Sequence, residues 1–171
     1  MSWITVRKEL NKLSKEQVIE VVGDFYKKSK SLKEMLDFYA EPKEDELFQK
    51  YRQKVYEAFY PKRGFDYKLK NGKQAINDFK KLGASIPLVA DLMLFYVETG
   101  VSFTNDFGDI SEVFYNSLES TYLDALNLMK RENILDEFKD RAAQVLADTK
   151  NIGWGFYDSL SHSYFQFYGI S

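Results

Sequence analysis

Positive charge is concentrated in residues 62–81. Lys62, Arg63, Lys68, Lys70, Lys73, Lys80 and Lys81 stand there against Asp66 and Asp78, with Phe65 and Tyr67 interleaved. Ammonium and guanidinium groups neutralise phosphates or carboxylates, and rings set between them offer faces on which bases stack. Lys62, Arg63, Lys68, Lys70 and Lys73 are therefore the candidate binding residues, either for a nucleic acid or another anion, or for an acidic protein partner. Amides at a helix start near Asn71 would add donors for a single phosphate. No Walker pattern, zinc-finger spacing or placeable helix-turn-helix accompanies the segment. Its plainer alternative is a solvated loop and helix face.

A second group is acidic. Glu98, Asn105, Asp109, Glu112 and Asn116, with Thr104, Asp106 and Glu119 beside them, carry oxygens of the kind that bind Mg²⁺ or Ca²⁺. Glu112, Asn116 and Glu119 are spaced to share a helix face. The run from Asn105 to Asp109 is not a calcium loop, because Phe107 stands where an oxygen ligand belongs, and no Glu-x-x-His pair exists for a di-iron bundle. The plainer alternative is a turn at Asn105 and Gly108 followed by a helix start at Asp109 and Glu112. His162 is flanked by Ser161 and Ser163, but helical neighbours diverge by about 100°, so no nucleophile pair is expected. No Gly-x-Ser-x-Gly elbow is present either. Cysteine is absent, which excludes disulfides, thiolate metal sites and cysteine nucleophiles, and a single histidine excludes multi-histidine metal sites. No catalytic residue, metal or cofactor is expected from these residues.

The elements that must position these groups are helical almost throughout. Ser14 with Gln17 and Ser31 with Glu34 are capping boxes. Pro42 opens a helix whose first turn holds Glu44, Asp45 and Glu46, and Pro61 stops it. A loop follows to Lys70, and Asn71 with Gln74 starts the next helix, closed by Gly83. Ser85 and Pro87 begin the most apolar helix, expected to be central; Asp109 with Glu112 starts another, Asn133 another. Gly153 and Gly155 precede a last helix rich in aromatics, Trp154 to Tyr168, which either packs as the final core helix or meets a partner. The expected architecture is a single all-α domain over 1–171, an irregular bundle or short solenoid of about eight or nine helices. Phe-Tyr dipeptides recur without a period, so tandem repeats are not expected; in each, one ring is read as core and the tyrosine as its wet border.

The chain has 171 residues, one domain's worth. Residues 1–12 are charged and lack an apolar run, and the apolar stretch Ile86–Val97 is interrupted by Asp91 and too short for a bilayer, so the cytoplasm is the expected compartment and no membrane the expected environment. The middle of the chain resembles an uncharacterised family of bacterial all-helical proteins, a domain of unknown function. The resemblance rests on Phe59-Tyr60-Pro61-Lys62-Arg63-Gly64, Phe79-Lys80-Lys81-Leu82-Gly83, Ala90-Asp91-Leu92-Met93-Leu94-Phe95-Tyr96-Val97-Glu98-Thr99-Gly100 and Phe114-Tyr115-Asn116-Ser117. It extends over most of residues 10–130 and implies an all-α bacterial protein, without an activity. The function expected is a small interaction module that meets a protein partner or a second copy of itself, through the basic segment or the aromatic C-terminal helix. The alternative is a metal- or small-ligand-binding protein or enzyme built on Glu98, Asp109 and Glu112. Net charge is −2, but it sums a basic front (residues 1–81, +6) and an acidic back (residues 82–171, −8).

Overall fold

The computed structural model describes residues 2–64 and 66–169; Phe65, one of the two rings interleaved in the basic segment, lies outside them. The fold is all-α, 78% helical, with nine α-helices and no strand among the described residues. The chain divides into two compact units, Met1–Lys43 and Glu44–Ser171.

The first unit holds α1 (Trp3–Leu10), α2 (Lys15–Lys28) and α3 (Lys30–Ala40). Ser14 and Gln17 form the expected capping box: the Gln17 amide donates to Ser14 Oγ at 3.2 Å and the Ser14 amide to Gln17 Oε1 at 2.8 Å. The next helix starts earlier than Ser31. Ser29 ends α2 and caps α3, its hydroxyl accepting from the Leu32 amide at 3.2 Å. Tyr26 donates to Asp37 at 2.6 Å and ties α2 to α3, and Lys33 donates to Asp37 at 2.9 Å within α3. Those two bonds hold the Asp37 carboxyl below the usual carboxylate range. No residue of α1–α3 is buried.

The second unit holds α4 (Glu44–Phe59), α5 (Leu69–Lys81), α6 (Ile86–Phe107), α7 (Glu112–Arg131), a 3₁₀ turn (Leu135–Phe138), α8 (Lys139–Asp148) and α9 (Phe156–Tyr168). On α4, Phe48, Tyr51, Val55 and Phe59 recur at helical spacing and all are buried. Glu44 begins that helix and reaches the start of α6, where Oε1 accepts from the Ser85 amide at 2.7 Å. Helix α6 is central: 12 of its 22 residues are buried. It is long and apolar enough to cross a membrane by length and composition; its burial is that of a core helix. It runs unbroken through Gly100, because that glycine is a point of close approach. A Cβ there would lie 2.4 Å from Leu118 Cδ2 on α7.

Ser111, not Asp109, caps α7; its hydroxyl accepts from the Phe114 amide at 3.3 Å. Asn133 occupies a turn at φ +58°, and α8 begins only after the 3₁₀ turn. Helix α9 packs on α7 and α8 with Phe156, Leu160 and Tyr164 buried, and Tyr168 donates to the Leu135 carbonyl at 2.9 Å. Most of its aromatic girdle is therefore spent inside the unit, while Trp154, just before it, is exposed.

Gly100→Ala sets two terms against each other. Alanine gains about 1 kcal/mol of helix propensity; overpacking costs about 1–3 kcal/mol, at the high end here because Leu118 is fully buried and its Cδ2, Cδ1 and Cγ all crowd the added Cβ. A net loss of about 1–2 kcal/mol is expected in urea unfolding. Gly23→Ala is the control. It lies within α2 with nothing within 4 Å of an added Cβ, so only the propensity gain remains.

Candidate functional site

The end of α4, the loop that follows and the start of α5 enclose a cleft of about 530 Å³. Pro61 has no amide to continue α4, and Gly64 takes φ +78°, a conformation open to glycine, where the chain turns back. The Lys68 amide then donates to the Ala58 carbonyl at 2.6 Å and fixes the returning strand of the loop to α4. Helix α5 starts at Leu69, two residues before the expected Asn71, with Lys68 preceding it and no side-chain cap.

Three of the five candidate binding residues line this cleft: Lys62, Arg63 and Lys68. The other two do not. Lys73 donates instead to Ser120 Oγ on α7 at 2.9 Å, and Lys70 is exposed outside the cleft. In their place α4 contributes Lys54, whose ammonium lies 3.8 Å from the centre of the Tyr51 ring. Glu57, Asp66 and Asp78 line the same cleft. Lys62 pairs with Glu57 at 2.7 Å, and Gln53 donates to Glu57 at 2.6 Å. Lys62 and then Gln53 hold the Glu57 carboxyl below its ordinary range. Four cations and three carboxylates thus share the walls, with the side-chain amides of Asn71 and Gln74 between them. This donor set can bind an anion by charge-assisted hydrogen bonds. Among its described lining residues there is no Ser, Thr, Cys, Tyr or His.

Across the same loop lies a second, apolar cavity of about 420 Å³. Its walls are Phe59, Tyr60, Tyr67, Phe103, Phe107 and Ile110, and it shares Pro61 and Gly64 with the cleft. Tyr60 donates to Asp106 Oδ2 at 2.5 Å. Burial and that carboxylate raise the phenol's pKa, so it stays protonated.

The acidic candidates are placed with separate partners. Arg141 of α8 takes Glu98 through Nε at 2.5 Å and Nη2 at 2.9 Å, and takes Asp91 through Nη1 at 2.9 Å. Burial lowers the Arg141 pKa, but Glu98 and then Asp91 more than offset it. Asp109 accepts from the Tyr115 hydroxyl at 2.9 Å and from the Gly153 amide at 3.2 Å, linking the α6–α7 turn to the segment before α9. Asn105, Glu112 and Asn116 are exposed. Among the described residues no three of His, Cys, Asp and Glu are grouped to hold a metal ion. His162 is exposed on α9. Lys54 was missed because it lies outside the basic run; its signal is the cleft-facing side of α4 that it shares with Glu57 and Ala58 at helical spacing.

A family model described as a family of unknown function, DUF6155, matches residues 1–167, reaching beyond the 10–130 stretch on which the resemblance rests. No curated protein and no solved structure matches the chain.

Proposed function

The chain belongs to DUF6155, a family of unknown function, and on that premise we propose that it is a small bacterial cytosolic binding module whose ligand is an anion held between α4 and α5. The observation that carries this is convergence. Lys54 from α4, Lys62 and Arg63 from the loop, and Lys68 at the start of α5 line one concave surface. Solvated charges with no common task spread over helix faces; charges from three separate stretches on one cleft give a polyvalent site for phosphate or carboxylate. The lack of cysteine suits the cytosol, where disulfides do not persist.

The test is a titration of the full chain with inorganic phosphate at low salt, followed by amide NMR shifts. Shifts are expected at residues 57–74, to weaken with salt, and to fall at least about tenfold in apparent affinity in Arg63→Glu plus Lys68→Glu. Both side chains are exposed, so the variant keeps its fold. Absence of shifts in this segment would overturn the proposal.

A second reading has its own observation. The Met1–Lys43 unit has no buried helical residue, yet Trp3, Ile4, Ile19, Phe25 and Tyr39 are each more than half exposed. A unit near the ~40-residue limit cannot hold itself by a core it does not have. The occupant proposed for these exposed apolar side chains is a second copy of the chain. Helix α2 carries Glu16 and Glu20 in its first half and Lys27 and Lys28 at its end; antiparallel pairing across a two-fold axis sets these opposite one another. Light scattering should give a dimer for the native chain and a monomer for Phe25→Glu. A native chain that stays monomeric at every concentration rules the dimer out.

A further inference from the structure

We infer that the anion held in the α4/α5 cleft is the head of a free, single-chain amphiphile, an alkyl or acyl phosphate or carboxylate, and that its apolar tail occupies the adjacent aromatic cavity. This inference rests on the anion-binding reading above and extends it to ligand class. Pro61 and Gly64 line both spaces, so the first turn of the loop is the ridge between them. A molecule lying across that ridge reaches Arg63 and Lys68 on one side and Phe103 and Phe107 on the other. The apolar side is built from rings locked edge-on or tilted to one another. Tyr67 and Phe103 have centroids 5.6 Å apart, and Phe103 and Phe107 4.6 Å. Of the two tyrosines in the wall, Tyr60 and Tyr67, Tyr60 already has its hydroxyl engaged by Asp106, which leaves its ring as apolar wall. Phe107 stands at the rim 60% exposed, a large ring in water beside an apolar hollow of about 420 Å³. That combination favours an apolar occupant, because filling the hollow removes the rim ring and the tail from water together. A buried floor of Phe59 and Phe103 bounds the hollow, which suits one chain rather than the face of a bilayer.

The experiment compares inorganic phosphate, octyl phosphate below its micelle concentration, and octanol on the full chain by calorimetry and amide NMR. Octyl phosphate is expected to bind at least about tenfold more tightly than phosphate, with shifts at residues on both sides of the ridge. Phe107→Ser should remove most of that gain and leave phosphate binding unchanged; Ile110→Ser tests the same wall from α6–α7 should the first variant lose helicity. Arg63→Glu plus Lys68→Glu should weaken phosphate and octyl phosphate alike. If octyl phosphate binds no better than phosphate, the amphiphile inference fails and the anion site stands. If neither binds, both fail. If octanol binds as tightly as octyl phosphate, the head-and-tail assignment is wrong. Co-sedimentation with phosphatidic-acid vesicles, without binding of octyl phosphate, would assign the site to a membrane surface instead and overturn the free-ligand assignment.

Discussion

Replacing Phe59 by alanine is expected to cost about 3–5 kcal/mol of stability, among the largest losses from any single side chain in the Glu44–Ser171 unit. Phe59 is fully buried at the end of α4. Its ring lies 4.9 Å from Tyr96, 5.9 Å from Phe114 and 6.3 Å from Phe103, centroid to centroid, so it joins α4 to both α6 and α7. Removing it deletes transfer free energy and leaves a cavity, and the cavity term depends on whether neighbours can collapse. Here they cannot readily do so. Tyr96 is held by a 2.8 Å hydrogen bond to Ser117 Oγ, and Phe114 is wedged against Tyr67 and Tyr115 at 5.2 and 5.5 Å. Burial keeps the Tyr96 phenol protonated, its pKa pushed up to about 12, so no ionisation at neutral pH relieves the cluster. Urea denaturation checks this as a fall in midpoint at constant m. Tyr56→Ala removes a stacked but exposed ring, 4.8 Å from Tyr60, and should cost under about 1 kcal/mol. Similar losses for the two variants would mean that Phe59 is not the keystone its burial implies.

The helices were legible because their signals are local, and the errors fall where a distant partner decides. Ser14, Pro42, Pro61 and Gly83 punctuate the chain as local rules require. Asp109 reads as a cap, but Tyr115 and Gly153 claim its carboxylate, and Ser111 caps α7 instead. The Phe-Tyr dipeptides follow the ring-in, hydroxyl-out reading at Phe59-Tyr60 and Phe156-Tyr157, but not at Phe25-Tyr26, where the Phe25 ring is exposed, or at Phe114-Tyr115, where both rings are buried. At Phe95-Tyr96 the order is reversed, with tyrosine fully buried, because Ser117 across the α6–α7 contact satisfies its hydroxyl. The candidate site divides in the same way. Charge density alone marks Lys62, Arg63 and Lys68. Helical phase removes Lys70 and Lys73: the cleft takes residues 68, 71, 74, 75 and 78, which recur at three- and four-residue spacing on one face of α5. Glu98 looked available for chemistry because Arg141, 43 positions away in sequence, leaves no local trace.

Replacing Arg141 by methionine is expected to cost about 2–3 kcal/mol, and the reason is electrostatic rather than packing. One guanidinium serves two carboxylates of α6, Asp91 and Glu98, placed two helical turns apart so that both face α8. All three side chains are about 30% exposed. Asp91 Oδ1 is buried with no hydrogen-bond partner among the described residues. Methionine fills much of the volume but leaves two neighbouring carboxylates half-desolvated and unpaired. Breaking a fully buried pair costs about 3–5 kcal/mol; partial solvent screening here reduces that figure. Arg141→Lys should recover only part of the loss, since a single ammonium cannot reproduce the fork that holds Glu98 through two nitrogens while reaching Asp91. The discriminating variant is Asp91→Asn, Glu98→Gln and Arg141→Met together. Once the charges are gone with their partner, that triple variant should be more stable than Arg141→Met alone, a non-additivity that a packing role for Arg141 would not produce. If the triple variant is the less stable, Arg141 acts through its aliphatic stem and the ion pairs contribute little. If it is the more stable, Glu98 is a structural charge, engaged in holding α6 to α8, and the acidic reading of this chain loses its central residue.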